Sequence, residues 1–339
     1  MSERPARTGA RPHRAKRERR LAYRAYGLAI NSDVELPELP PLRDLRDVGR
    51  NRVRLRILGP RRVIDEPEQW LNSSTYADGT PWLATAKIDG GYLLRFPQLA
   101  DFTIDSDGRE LSCVAVADGV DVITLRHLAI DHVMPRVLNL LGIESLHATA
   151  VAAAAGAVAF IGEAGTGKST LAASFHLSGL PSFCDDCLVL RDEHGRIMGT
   201  PAYPGVRLWD DSFHALMGES ERGLPVAQYT SKARLLGDAD GFAAGRLPLA
   251  RIYLLRRPDG DDDAVPAPKI STVSPAVAFP HLVGASFPLD LTDYAMLTRH
   301  FRFIVRVAAT VPIRRLTIPN DFSALPAVRA AVVADLAEG

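Results

Sequence analysis

Polar and apolar positions alternate through the first third of the chain. In Val53-Arg54-Leu55-Arg56-Ile57-Leu58 the apolar side chains recur at every second position, and Gly91-Tyr92-Leu93-Leu94-Arg95-Phe96 is another short apolar run. Gly, Pro and Asp punctuate such segments, the pattern of short strands separated by turns. Residues 21–121 are therefore expected to form a β-rich N-terminal domain, the smaller of two. The period then changes. Leu125, Leu128, Ala129, Val133, Val137, Leu138 and Leu141 recur at helical spacing, which predicts a helix over Thr124 to Leu141 despite Pro135.

Beyond it the pattern is that of an α/β fold. Ala148 to Gly162 is alanine-rich and interrupted by Gly156, which predicts a strand, a tight turn and a second strand at Ala157 to Ile161. Ser169 to Leu177 reads as a helix, and the apolar stretches around Asp185-Asp186 read as the next strand. Arg251 to Leu255 and Ile313 to Ile318 are further expected strands; Tyr294 to Ala309 and Ala324 to Leu336 are expected helices. Residues 122–339 are thus expected to make the second domain. Asp259 to Asp263 reads as a solvated acidic turn.

The length of 339 residues favours two domains over one. The formal net charge is zero, which argues against a nucleic-acid partner for the molecule as a whole. The charge is nonetheless uneven. Residues 1–20 hold Arg4, Arg7, Arg11, Arg14, Lys16, Arg17, Arg19 and Arg20 against Glu3 and Glu18, and are expected to be a disordered basic tail. Arg19-Arg20 is not expected to open an export signal, because Arg24, Asn31, Asp33 and Glu35 break the apolar core that would have to follow. No run reaches the roughly 20 apolar residues of a membrane span, so a cytoplasmic location is expected. Cys113, Cys184 and Cys187 are too few for a disulfide framework, and the C-x-x-C pair lacks the two further ligands of a zinc site.

Candidate chemistry begins directly after the strand at Ala157 to Ile161. Gly162-Glu163-Ala164-Gly165-Thr166-Gly167-Lys168-Ser169 fits G-x-x-x-x-G-K-[ST], a phosphate-binding loop. Its glycines let backbone N–H groups turn toward a polyphosphate, Lys168 supplies a point charge, and the Ser169 hydroxyl suits Mg²⁺. Thr170 continues the helix whose N-terminus faces the anion. Asp185 and Asp186 follow Lys168 by one helix and a short connection. Two adjacent acids among apolar residues are costly to bury unless a cation or hydrogen bonds compensate, and the magnesium of a bound nucleotide is such a cation. There is no N-K-x-D motif and no L-S-G-G-Q signature, which weakens GTPase and transporter-ATPase readings.

Together Leu146-His147-Ala148-Thr149-Ala150-Val151, the glycine-rich loop and Phe183-Cys184-Asp185-Asp186 resemble HPr kinase/phosphorylase. Tyr23 to Ile30, Leu36-Pro37-Glu38-Leu39 and Tyr203 to Trp209 look closer to the HPr-kinase-related serine kinases, including those found with lasso-peptide biosynthesis. The resemblance implies a P-loop kinase core like the HPr kinase C-terminal domain and phosphoenolpyruvate carboxykinase. It implies ATP and Mg²⁺ as cofactors, with Lys168 and Ser169 on phosphate and metal, Asp185 as general base, Asp186 on the metal, and His147 near the transferred group. Its partners would be a peptide or small-protein acceptor and a second copy of the chain. This sequence departs from the founding enzyme after the acids, where Gly205-Val206-Arg207-Leu208 replaces an L-E-I-R-G-type stretch, and that points away from HPr as acceptor.

Arg207, Lys232 and Arg234 are the remaining candidates for phosphate contacts. The expected activity is ATP-dependent phosphorylation of a serine hydroxyl. A small-molecule kinase of the same fold and a non-catalytic nucleotide-binding regulator are the alternatives.

Overall fold

A computed structural model describes residues 21–338 apart from 45, 47, 49–50, 60–63, 77, 236–241, 244 and 259–266. The basic segment 1–20 and the acidic run Asp259–Asp263 lie outside the described residues. The alternating N-terminal segments pair into a sheet of β1 (Leu21–Ala25), β2 (Leu28–Ser32), β3 (Arg52–Leu58), β4 (Trp70–Thr75), β5 (Pro81–Ile88), β6 (Gly91–Phe96), β7 (Ala100–Asp105) and β8 (Glu110–Ala115). Their order is β1-β2-β3-β8-β7-β6-β5-β4. β3 is parallel to both of its neighbours, β2 and β8. Its Val53 and Leu55 point inward while Arg52 is exposed, as the period-two pattern requires.

The inner face of this sheet is covered by α1 (Val122–His127), a π-helical segment Leu128–Val133 and α2 (Met134–Leu140). The sequence predicts one regular helix here; the structure inserts a wider turn. Pro135 has no N–H to give the carbonyl of Asp131, and the helix loosens just before it. Leu128, Ile130, Val133, Met134, Val137 and Leu138 share one core with Leu55, Phe96 and Phe102, and that core also takes in Val189 and Tyr203 from far along the chain. Burying each large apolar side chain contributes roughly 1.5–3 kcal/mol relative to leaving it exposed. The Tyr26 hydroxyl donates to the Ile130 carbonyl at 2.5 Å, which fixes the π segment against β1 and β2.

The rest of the chain supplies β9 (Glu144–Leu146), β10 (Thr149–Ala153), β11 (Gly156–Ile161), α3 (Lys168–Leu177), β12 (Ser182–Cys184), β13 (Leu188–Glu193), β14 (Arg196–Pro201), β15 (Val206–Leu208) and α4 (Asp210–Met217). It ends with β16 (Leu224–Pro225), β17 (Ala233–Leu235), β18 (Leu247–Arg256), β19 (Lys269–Thr272), α5 (Pro275–Gly284), α6 (Tyr294–Thr310), β20 (Ile313–Thr317) and α7 (Leu325–Ala337). The fold is mixed α/β.

The large second sheet runs β12-β10-β11-β18-β14-β13-β9, with β20 on β18 and β19 on β20. β11, β18 and β20 are parallel. The long strand β18 organises both of its faces. Leu249, Ile252 and Leu254 join the core under α5 and α6. Tyr253 and Leu255 point the other way, into the core with α3 and α7. Gly156 opens β11 at φ +129°, where a Cβ would stand 2.2 Å from the Pro248 carbonyl oxygen, so glycine permits the close approach of β11 to β18. Among the described residues no helix is long and apolar enough to cross a membrane.

Candidate active site

β11 and α3 hold the segment 162–167 between them, in the strand, loop, helix order that the motif calls for. Gly167, at φ +94°, turns the chain into the first helical residue, Lys168. A side chain there would be strained and would meet Arg257 Nη2 at 2.9 Å. A Cβ at Gly162 would fall 2.8 Å from Thr166 Oγ1. No side chain caps the start of α3, so its first N–H groups and the positive end of its dipole face the loop. Lys168 folds back over the same loop, with Nζ donating to the carbonyls of Gly162 at 2.7 Å and Glu163 at 3.0 Å. Burial lowers its pKa, opposed by the charges of Asp186 and Asp185.

The sequence predicts both acids on the strand after α3. The structure instead puts them in the turn between β12, which pairs with β10, and β13, which pairs with β9 and β14. Asp186 has φ +61°, a left-handed conformation that ends one strand and redirects the chain into the other. Consecutive residues in that turn meet different surroundings. The Asp185 carboxylate is wholly enclosed, at 0% side-chain exposure, whereas that of Asp186 keeps 19%.

Asp185 is also saturated. Its Oδ1 accepts from Thr149 Oγ1 at 2.7 Å and from Ser169 Oγ at 2.9 Å. Its Oδ2 accepts from the Arg207 backbone N–H at 2.8 Å and from Nη1 at 3.4 Å. Burial and the neighbouring Asp186 charge push the Asp185 pKa up, against the pull of Arg207. Burial works the same way on Asp186, but Arg207, His147 and Lys232 outweigh it and hold that carboxyl below the usual carboxylate range.

Arg207, on β15, is the shared cation. Its Nη1 is 3.6 Å from Asp186 Oδ2, and Nη2 donates to Asp131 Oδ1 at 2.7 Å. Asp131 comes from the π segment and also pairs with His127 Nδ1 at 2.6 Å and accepts from the Tyr203 hydroxyl. One buried guanidinium thus balances three carboxylates. Further hydrogen bonds from Thr149, Ser169 and Tyr203 to Asp185 and Asp131 help to make so deeply buried an ion pair tolerable, although Arg207 Nε has no hydrogen-bond partner among the described residues.

Above these groups lies a cleft of about 460 Å³. Ala164, Gly165, Gly167, Lys168, Ser169, Thr170, Asp186, Arg207 and Lys232 border it, so most of the residues singled out in the sequence meet there. Gly162, Glu163, Thr166, His147, Asp185 and Arg234 are not among its lining residues. His147, between β9 and β10, approaches the Asp186 carbonyl with Nδ1 at 3.1 Å and packs edge-on against Phe287. Burial lowers its pKa. Arg234 stacks on Tyr203 behind Arg207, whereas the Lys232 ammonium sits over the half-exposed Trp209 ring at 5.2 Å.

Sequence reasoning did not single out Thr149 for a role, nor Asp131, Tyr203 or Arg257. It also overlooked the segment 318–322 after β20, which closes the far end of the cleft with Pro319, Asn320 and Phe322. The one legible sign was Asp131 itself, an acid at an apolar position between Ile130 and Val133. Among the described residues no group of three or more His, Cys, Asp or Glu side chains is gathered as a metal cluster.

No protein-family model matches the chain, and no curated protein matches it in sequence. Among solved structures, the chain is similar to the Hpr(Ser) kinase/phosphatase from Coxiella burnetii, with 15% identity and a TM-score of 0.33 over 57% of this chain and 99% of that one.

Proposed function

We propose that the chain is an ATP-dependent phosphotransferase that moves the γ-phosphoryl group to a serine hydroxyl of a peptide or small protein. The observation that carries this reading is the hydrogen bond from Ser169 Oγ to Asp185 Oδ1, which ties the glycine-rich loop to the acidic turn while Asp186 and Lys168 border one cleft. Phosphoryl transfer needs little covalent help from a protein; it needs phosphates held, charge neutralised and an incoming hydroxyl oriented. Each requirement has a residue here.

The free N–H groups at the start of α3 and the Lys168 ammonium take the phosphate oxygens. Lys168 leaves the carbonyls of Gly162 and Glu163 to do so. The donor set fits Mg²⁺: Ser169 gives its proton to Asp185, so its oxygen lone pairs are open to a hard cation. When bound, that ion supplies neutralisation of phosphate charge. Asp185 is a positioning residue, because its own oxygens are all engaged. Asp186 is the carboxylate with an open side; it accepts the proton of the serine hydroxyl as the oxygen attacks phosphorus. In this reading the base role expected for Asp185 from the sequence passes to Asp186, and Asp185 holds Ser169 and Arg207 in place. Arg207 faces the same space and steadies the developing charge.

The test is transfer of label from γ-labelled ATP, with Mg²⁺, to serine peptides and to proteins encoded near this chain in its genome. The parent protein is expected to label serine, and Lys168→Ala and Asp186→Asn to lose that labelling. Absence of transfer to any of these acceptors by a parent protein that binds ATP would leave a nucleotide-binding regulator as the better reading.

A further inference from the structure

Six half-buried residues form a row that starts at the acidic turn and ends on the N-terminal sheet: His147, Phe287, Arg136, His132, Tyr229 and Trp82. His147 Nδ1 approaches the Asp186 carbonyl, and its ring lies 5.9 Å from that of Phe287. The Arg136 guanidinium, on α2, also lies 5.9 Å from the Phe287 ring, and its Nη1 donates to the His132 carbonyl at 2.5 Å. His132 Nε2 is 3.3 Å from the Tyr229 hydroxyl. The Trp82 ring, on β5, packs against His132 at 5.1 Å and Tyr229 at 5.0 Å. None of the six borders the cleft at Lys168, yet Asp186 does, and so does Lys232, which follows Tyr229 in the same segment. The row therefore meets the cleft at Asp186 and along 229–232, and the Asp186 charge acts on both His132 and Tyr229.

Arg136 is the charged member of the row, since burial holds His132 neutral. Among the described residues no carboxylate pairs with Arg136, and its hydrogen bond goes to the His132 carbonyl. Its Nε and Nη2 make no hydrogen bond there and keep accessible surface. Arg207 and Arg251, by contrast, are each paired with a carboxylate. A guanidinium drawn partly out of water without a counter-charge is costly, and burial accordingly lowers the Arg136 pKa to about 10. Two open N–H groups on one planar cation are a complement for a carboxylate from outside the chain. Phosphates held at Lys168 do not supply it, because Arg136 does not border that cleft.

We propose that this row is the acceptor-binding face of the site, and that it takes a peptide carrying an acidic side chain near its target serine. The inference rests on the kinase reading above. The serine stands at Asp186, the Asp or Glu side chain pairs with Arg136, and flanking apolar side chains lie on Phe287, Tyr229 and Trp82, aromatic surfaces of the kind that anchor interfaces. The steps from Asp186 through His147 and Phe287 to Arg136 are 3.1, 5.9 and 5.9 Å, so serine and acid are separated by at most about five residues of extended chain. The N-terminal sheet then has a task in the reaction, since β5 brings Trp82 to the acceptor side.

Transfer of label from γ-labelled ATP to a peptide library tests this, with serine fixed at the centre, each flanking position varied in turn, and both ends capped so that side chains supply the only carboxylates. The parent protein is expected to label members with Asp or Glu within about five positions of the serine about tenfold more than their Asn and Gln counterparts. Arg136→Gln should bring that ratio close to one, Arg136→Glu should turn the preference toward Lys and Arg, and Arg136→Lys should keep part of it. A measurement on the parent alone covers the case in which these variants do not fold: an acidic peptide with alanine in place of serine should inhibit labelling, and its Gln counterpart should not. Equal labelling of acidic and neutral members by the parent overturns the inference while leaving the kinase reading in place, and so does an acid preference that Arg136→Gln retains. No labelling of any member by a parent protein that binds ATP removes both.

Discussion

Ser169 Oγ and Asp185 Oδ1 stand 2.9 Å apart, and through that contact the first turn of α3 is bound to the turn between β12 and β13. The same oxygen accepts from Thr149 on β10. A loop, a helix and two strands therefore converge on one carboxylate that is closed to solvent, and the residue beside it is left to face the cleft.

The two acids should separate in kinetics. Asp186→Asn is expected to lower phosphoryl transfer by about 10²–10⁴-fold, the usual contribution of a general base, with ATP affinity changed by less than about threefold. Asparagine tolerates the left-handed backbone at this position, so the variant should fold. Steady-state rates together with equilibrium ATP binding decide it; equal transfer by variant and parent removes Asp186 as the base.

Asp185→Asn should act on binding and stability. The amide nitrogen cannot accept from the donors that now converge on Asp185, so at least one buried donor is left unmatched at about 1–3 kcal/mol. A lower thermal midpoint and weaker magnesium-dependent ATP binding are expected, measured by calorimetry with and without the metal. An unchanged midpoint and unchanged binding would refute the positioning role.

Asp131→Ala removes the partner that Arg207 Nη2 holds at 2.7 Å. It leaves a buried cation undercompensated, and breaking such a pair costs about 3–5 kcal/mol. Denaturant unfolding should show that loss. Arg207→Lys should not restore a fork that reaches Asp131, Asp185 and Asp186 from one plane.

Gly156→Ala should abolish accumulation of folded protein. A Cβ 2.2 Å from a backbone oxygen cannot be relieved by a side-chain rotation, and the strand pair that carries the glycine-rich loop would have to separate. Soluble yield and circular dichroism report the outcome. A stable Gly156→Ala protein would show that β11 and β18 are not so tightly apposed.

Alkaline stability should respond to Tyr92. Its hydroxyl donates to Asp290 Oδ2 at 3.1 Å, and burial together with the Asp290 charge raises its pKa from 10 to about 12. A raised phenol favours the neutral folded form, so its contribution is complete below pH 10 and disappears as pH climbs from 10 through about 12. Tyr92→Phe should flatten part of the alkaline loss in unfolding free energy between those values. Identical slopes for the two proteins would count against it.

Much of the local structure was legible in the sequence. The alternation at Val53 to Leu58 gave β3, the run at Gly91 to Phe96 gave β6, and the alanine-rich segment with Gly156 gave β10 and β11. The loop at Gly162 to Ser169 was equally plain, because backbone freedom and helix start are encoded within a few neighbouring residues. The π segment at Leu128–Val133 was not, since the spacing of apolar residues through it still fits a regular helix.

What the sequence by itself determined is therefore the set of local elements and the presence of a lysine, a serine and two acids within two neighbouring segments. Only the tertiary structure decided which acid is enclosed, because a single left-handed residue, Asp186, turns one carboxylate toward Thr149 and Ser169 and the other toward the cleft. It alone brought Asp131 to Arg207 across a separation of 76 residues. Periodicity reports which side of an element is apolar; it carries no information about which distant charge will meet that side, and burial makes that meeting energetically decisive.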